Sequence, residues 1–251
     1  MGIIGKIVGG TLGFAFGGPL GAVAGAVFGH AFDSDEPSAV QGPHGRLSHI
    51  EESQLAFFVG TFSMLAKLVK ADGRVTREEM AVVEQFAYQD LGLTPQSRDV
   101  AFNIFNAALD SPATFEDFAA QFIGHFRGQN NMVEMMVDIL LRVSAADGSI
   151  HVSEEALILS AVRIFNFNPS RYEQLKSKYV ENIHQGYDVL GANPADTDEA
   201  IKKRYRYLVK TYHPDKIAGK GLPDEFTQLA QDKFREIQAA YESIKQERGI
   251  R

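Results

Sequence analysis

Gly5, Gly9, Gly13, Gly17, Gly21, Gly25 and Gly29 recur at intervals of four without a break. The stretch from Ile7 to Phe28 holds 22 residues and no charge. In a helix this spacing stacks the glycines into one bare groove, along which a second helix approaches at backbone distance. In water each glycine costs a helix about 1 kcal/mol relative to alanine, whereas a bilayer forces the backbone to bond to itself. An uncharged run of this length also suits a bilayer crossing. Residues 1–35 are therefore expected to form a glycine-zipper transmembrane helix, with Lys6 before it and Asp33, Asp35 and Glu36 after it. Packing through Gly9, Gly13, Gly17, Gly21, Gly25 and Gly29 makes a homodimer the expected assembly. Three other readings compete. A cleaved signal peptide finds its small-residue site imitated by Ala22 to Ala26. A flexible Gly/Ala-rich arm suits Pro19 at the centre, and a surface helix lacks a strongly polar face. Lys6 and Arg46 lie on opposite sides of the run, so charge does not orient it.

Pro37, Gly42, Pro43 and Gly45 mark residues 36–49 as a linker. From residue 50 to 184 every segment reads helical. Leu55, Phe58, Val59, Phe62, Leu65, Ala66 and Val69 form one apolar stripe; Met132, Met135, Met136, Ile139, Leu140 and Val143 form another. Shorter helices are expected around 76–91, 97–109, 114–127, 153–166 and 169–183, with Pro95 and Pro112 near helix starts. One pattern occurs twice. Ala71-Asp72-Gly73-Arg74-Val75 is echoed 75 residues later by Ala146-Asp147-Gly148-Ser149-Ile150. Glu78 and Glu79 follow the first copy and Glu154 and Glu155 the second, which reads as one residue longer. Thr76 and Glu79 make a capping box, and Ser153 is the expected cap of the second copy. Asp72, Glu79, Asp147 and Glu155 are weak candidates for an ion site, because each loop is too short and too poor in oxygen ligands for an EF-hand.

Near the C-terminus, Ile201, Tyr205, Leu208, Val209 and Tyr212 make the apolar stripe of a helix. Its opposite face carries Lys202, Lys203, Arg204, Arg206 and Lys210 with no acid. Phe226, Leu229, Ala230, Lys233, Ile237, Ala240, Tyr241 and Ile244 trace a second helix, long enough to pack antiparallel on the first. Pro214 cannot continue a helix and biases His213 toward extended geometry, so His213-Pro214-Asp215 belongs to the exposed connection.

Composition narrows the classes. The chain has 251 residues and a net charge of −7. Residues 186–251 carry 12 basic and 11 acidic side chains, leaving −8 on the rest. An acidic bulk with one basic helix does not suit nucleic acid, which wants a broad positive surface. With no cysteine, disulfides, thiol catalysis and thiolate zinc sites are excluded. No nucleophile–base pair is visible, and His125, His151 and His184 stand singly. Neither an enzyme nor a cofactor is expected.

Tyr187-Asp188-Val189-Leu190-Gly191, the basic helix, His213-Pro214-Asp215 and the helix ending Ile237-Gln238-Ala239-Ala240-Tyr241 resemble a J domain over residues 185–251. The duplicated Asp-Gly pattern resembles a TerB-like domain within residues 50–184. With the anchor, the whole chain resembles the membrane-anchored DjlA family of bacterial co-chaperones. The resemblance implies an all-α protein that binds a DnaK-type ATP-dependent chaperone and stimulates its ATP hydrolysis. It implies that Asp215 pairs with an arginine of that chaperone and that Lys202, Lys203, Arg206 and Lys210 meet its acidic surface. It places the anchor in the bacterial inner membrane with the later domains cytoplasmic. A second reading makes the middle domain a metal- or stress-sensing module for which the J domain is a docking element. One departure matters: only Val180 to Gly186 joins the two domains, where many J-proteins carry a long flexible tether. That suggests a restricted relative orientation.

Overall fold

The computed structural model describes residues 17–29, 48–146, 148–180, 185–213, 216–217 and 219–250, and among these it holds helices and turns but no strand. Gly9, Gly13, Asp147, His184, Pro214 and Asp215 lie outside the described residues.

Helix α1 (Gly18–Gly29) is the described part of the glycine-rich run. It begins where Gly18 adopts φ +71°, a backbone that favours glycine. Gln121 caps it, accepting from the Leu20 N–H at 2.7 Å and donating to the Gly17 carbonyl at 2.6 Å. Leu20, Val23 and Ala24 are buried in the bundle that follows. Twelve residues span only about 18 Å. Among the described residues no helix is long and apolar enough to cross a membrane.

The bundle comprises α2 (His49–Val69), α3 (Arg77–Gln85), α4 (Pro95–Asp110), α5 (Phe115–Phe126), α6 (Asn130–Ser144), α7 (Val152–Ile164) and α8 (Pro169–Val180). A π-helical turn, Phe86–Asp90, continues α3. Local chemistry sets the starts: capping boxes join Ser48 to Glu51, Thr76 to Glu79 and Thr114 to Asp117, while Thr94 caps α4 ahead of Pro95. Helix α2 is the axis. Its expected stripe is buried, but so are Phe57, Thr61, Met64 and Leu68 on its other sides, as befits a helix surrounded by others. Gly60 lets α5 come close, since a Cβ there would stand 3.0 Å from the Phe122 ring. Phe57 meets Phe122 and Phe126 edge-on, each at 5.7 Å. Burying each such ring stabilises the core by roughly 1.5–3 kcal/mol.

The duplication extends to hydrogen bonds. Gly73 and Gly148 have φ +93° and +92°. The Gly73 N–H donates to Lys70 and the Gly148 N–H to Ala145; the Ala71 and Ala146 N–H groups likewise donate to Leu68 and Val143. Here the structure corrects two expectations. The residue before α7 is His151, not Ser153, and its N–H donates to Glu154 at 3.2 Å. Thr76 and His151 are 75 residues apart, as are Glu79 and Glu154, so the second copy is no longer than the first. Aligning the glutamate pairs concealed this, because the N3 carboxylate is the second of one pair and the first of the other.

Helices α9 (Gln185–Leu190), α10 (Asp198–Thr211) and α11 (Thr227–Arg248) complete the chain, with a 3-10 turn, Asp224–Phe226, before α11. Tyr205 of α10 stacks on Tyr241 of α11 with centroids 3.9 Å apart. Arg248, near the end of α11, donates to the Tyr187 hydroxyl, the Asp196 carbonyl and Asp198. Gly249 then closes the helix in the left-handed conformation.

Candidate functional site

The α10–α11 hairpin has two faces of opposite character. Thr197 caps α10 by accepting from the Ala200 N–H, and Ile201, Leu208 and Tyr212 point inward, all buried. Lys203, Arg206 and Lys210 are exposed on the outer side, with Lys202 half-buried beside them. Arg206 Nε donates to the Lys202 carbonyl, which holds its guanidinium along that side. Arg204 departs from the expected basic face. It turns to α9, where its Nε donates to the Leu190 carbonyl at 2.9 Å. Tyr207 is 53% exposed among the remaining cations, a ring suited to a partner's surface.

His213 follows α10 and is exposed, its ring edge-on to Phe234 at 5.9 Å. Its carbonyl accepts from the N–H groups of Lys216 and Ile217. The sequence suggests an exposed connection, but part of it is covered: Ile217, Gly221, Leu222 and Phe226 are buried.

The last three of these meet the middle bundle. Phe226 meets Phe57 at 5.0 Å and Phe58 at 6.1 Å, both edge-on. Gln54 of α2 donates to the Leu222 carbonyl, and Lys220 donates to Asn131 of α6. Gly221 has φ +90°, and a Cβ there would stand 2.4 Å from that of Ser53. Behind this seam lies a buried ionic cluster. Lys233 of α11 donates to Asp138 of α6 at 2.9 Å, and both side chains are 6% exposed. Tyr179 donates to the other Asp138 oxygen, and Lys178 joins Asp138 to Glu236 of α11. Burial opposes ionisation of Asp138, but Lys178 and Lys233 outweigh it and hold the carboxyl well below the usual range. Arg171 of α8 pairs with Glu134 at 2.8 Å and donates to the carbonyls of Asp188 and Val189 in α9. Burial at Glu134 is likewise outweighed, chiefly by Arg171, so its carboxyl is lowered too. Burial pushes the Tyr212 phenol well up, and the Lys233 ammonium sits over its ring at 5.4 Å.

These inward residues were not singled out in the sequence. Lys233 falls within the apolar stripe of α11, and Asp138 interrupts the apolar run from Met135 to Leu141. A charge set inside an apolar stretch, once on each of two helices, is the signal that pairs them.

Of the weak ion-site candidates, Asp147 lies outside the described residues and the other three are occupied by local structure. Asp72 accepts from the Arg74 N–H and Glu79 from the Thr76 N–H, while Glu155 pairs with Lys176 and accepts from the Tyr172 hydroxyl. Asp72 and Glu79 border one cleft; Glu155 does not line it. Among the described residues no group of three or more potential ligands is placed to hold a metal. Of the glycines expected in the membrane groove, Gly21 is buried within the chain, and a Cβ at Gly17 or Gly25 would meet nothing within 4 Å.

A helical hairpin with an outward basic face, closed by α9 and carrying His213 at its bend, defines the class: this is a J-domain protein. Residues 185–250 match the DnaJ domain, residues 58–177 the tellurite resistance protein TerB, and residues 1–49 the co-chaperone DjlA transmembrane domain. The co-chaperone protein DjlA of Shewanella oneidensis is 30% identical over 98% of both chains. That of Photobacterium profundum is 28% identical over 98% of this chain and 99% of its own, and that of Escherichia coli K12 is 28% identical over 89% of each. The chain belongs to the DjlA family of co-chaperones, with the membrane, TerB and J segments in that order. No solved structure matches it.

Proposed function

We propose that this protein recruits a DnaK-type chaperone to the bacterial inner membrane and stimulates ATP hydrolysis there, the partner performing the chemistry. The observation that supports this reading most is the division of the hairpin: Lys203, Arg206 and Lys210 face solvent while the opposite side is held by the bundle. A basic surface of this kind steers an acidic partner and sets its approach. His213, Pro214 and Asp215 are the loop contact, in which a short carboxylate makes a charge-assisted bond to an arginine. Lys202, Lys203, Arg206 and Lys210 are the docking surface. The middle domain selects the client. Self-association through Gly9, Gly13, Gly17, Gly25 and Gly29, with Gly21 turned into the chain's own bundle, would place two such hairpins side by side, with the later domains on the cytoplasmic side.

Single-turnover ATP hydrolysis by a DnaK-type chaperone tests the reading, with the full chain in nanodiscs compared with its His213→Gln and Asp215→Asn variants. Stimulation by the wild type and its loss in both variants is the expected result. A chaperone indifferent to the wild-type protein overturns it.

A further inference from the structure

We propose that the cleft between the ends of α2 and α6 and the starts of α3 and α7 binds a short protein segment in which bulky apolar side chains are flanked by lysine or arginine. The cleft has a volume of about 810 Å³, within the range of natural binding sites. It is lined by corresponding parts of the two copies, Leu68 to Glu79 from the first and Val143, Ser144 and His151 to Glu154 from the second. Leu68 and Val69 at the end of α2, Val143 at the end of α6 and Val82 of α3 supply apolar walls. Val152, in the first turn of α7, stands at the cleft 87% exposed. An aliphatic side chain this exposed beside an apolar hollow has surface to lose when a partner arrives.

Charge selects the occupant. Asp72, Glu78, Glu79 and Glu154 line the cleft, and among the described residues neither lysine nor arginine does. Arg74 and Arg77 are exposed nearby but are not among the lining residues. Asp72 and Glu79 are held by backbone N–H groups of their own turns, so their charges are fixed in place. Fixed carboxylates around an apolar hollow complement a segment that is apolar at its centre and cationic at its ends. They disfavour an acidic segment by the same rule. Ser144 also lines the cleft, and its buried hydroxyl has no hydrogen-bond partner in the structure. The inference is independent of the co-chaperone reading, because the cleft shares no residue with the basic hairpin face.

The test uses the full chain in zwitterionic nanodiscs, with empty nanodiscs subtracted. The probe is a fluorescein-labelled peptide, Lys-Leu-Arg-Phe-Leu-Lys-Arg, followed by anisotropy. Two control peptides replace its cations by glutamate or its apolar residues by serine. Saturable binding of the probe alone is expected, weakened at least tenfold by Val152→Lys and by Glu78→Lys. Both positions are exposed, so both variants fold, as an unchanged circular dichroism spectrum will show. Absent saturation, equal binding of the glutamate peptide, or wild-type affinity in both variants overturns the proposal. Chaperone stimulation is not part of this readout, so failure of either idea leaves the other standing.

Discussion

The two sides of the C-terminal hairpin carry similar charges under opposite conditions. On the outer side of α10, Lys203, Arg206 and Lys210 stand in water. On the inner side of α11, Lys233 is buried against Asp138 and lies over the Tyr212 ring. An exposed cation costs the fold nothing and keeps its charge available to a partner. A buried one is tolerated only with its carboxylate, and then it fixes how two domains sit together. The same residue type thus serves association on one side and architecture on the other. Substitutions should separate the two.

The largest effect is expected inside. Asp138→Asn strips Lys233 and Lys178 of their shared carboxylate, and unfolding in urea should show a loss of about 3–5 kcal/mol. An unchanged midpoint would mean that the cluster is not buried in solution. Next comes Phe226→Ala, which removes a ring from against Phe57 and Phe58. A loss of about 3 kcal/mol is expected, and a value near zero would show that the seam is open. The outer side should respond in the reverse manner. Lys203→Glu with Arg206→Glu should leave stability within about 0.5 kcal/mol while lowering the chaperone's apparent affinity roughly tenfold, a change of about 1.4 kcal/mol. The wild-type interaction should also weaken with added salt. Salt-independent stimulation would count against a basic docking face.

Acid gives the smallest effect near neutrality and sharpens the contrast. The Asp138 carboxyl is depressed by folding, so its contribution is complete above the unfolded value of about 4 and is lost as pH falls through the lower folded value. Denaturation midpoints should therefore change little from this group between pH 5 and 7 and fall below about pH 4. In Asp138→Asn that acid-dependent part should be smaller.

Helical periodicity, most caps and the hairpin of α10 and α11 are legible because each is local. Thr76 with Glu79, Pro95 near a helix start, and the stripe of α10 need only a few neighbouring residues to be read. What escaped was non-local. The stripe chosen for α2 is real, but Phe57 and Leu68 on its other faces show it to be central, which periodicity alone does not reveal. Ser153 was favoured as a cap because serine is a good one, whereas the turn geometry set by Gly148 places the helix start two residues earlier. Arg204 shares a helix with Lys203 but finds the Leu190 carbonyl, a partner 14 residues away in the chain. The short connector signalled restricted domains, and the residues that make the contact became visible only when Asp138 and Lys233 were seen together. For the N-terminal run, the family match and the packed helix α1 address different parts of the question. Residues 1–49 match a transmembrane domain, and the described residues 17–29 lie against the bundle.

The most direct test of the clamped inner face is a double-mutant cycle between Asp138→Asn and Lys233→Met, read as unfolding free energy of the full chain in detergent. Direct pairing across the two domains predicts a coupling energy above about 1 kcal/mol, with the double variant more stable than the sum of the single losses implies. A coupling of zero would contradict it, and the contact between the domains would then rest on the Phe226 seam and Arg171 rather than on this ion pair.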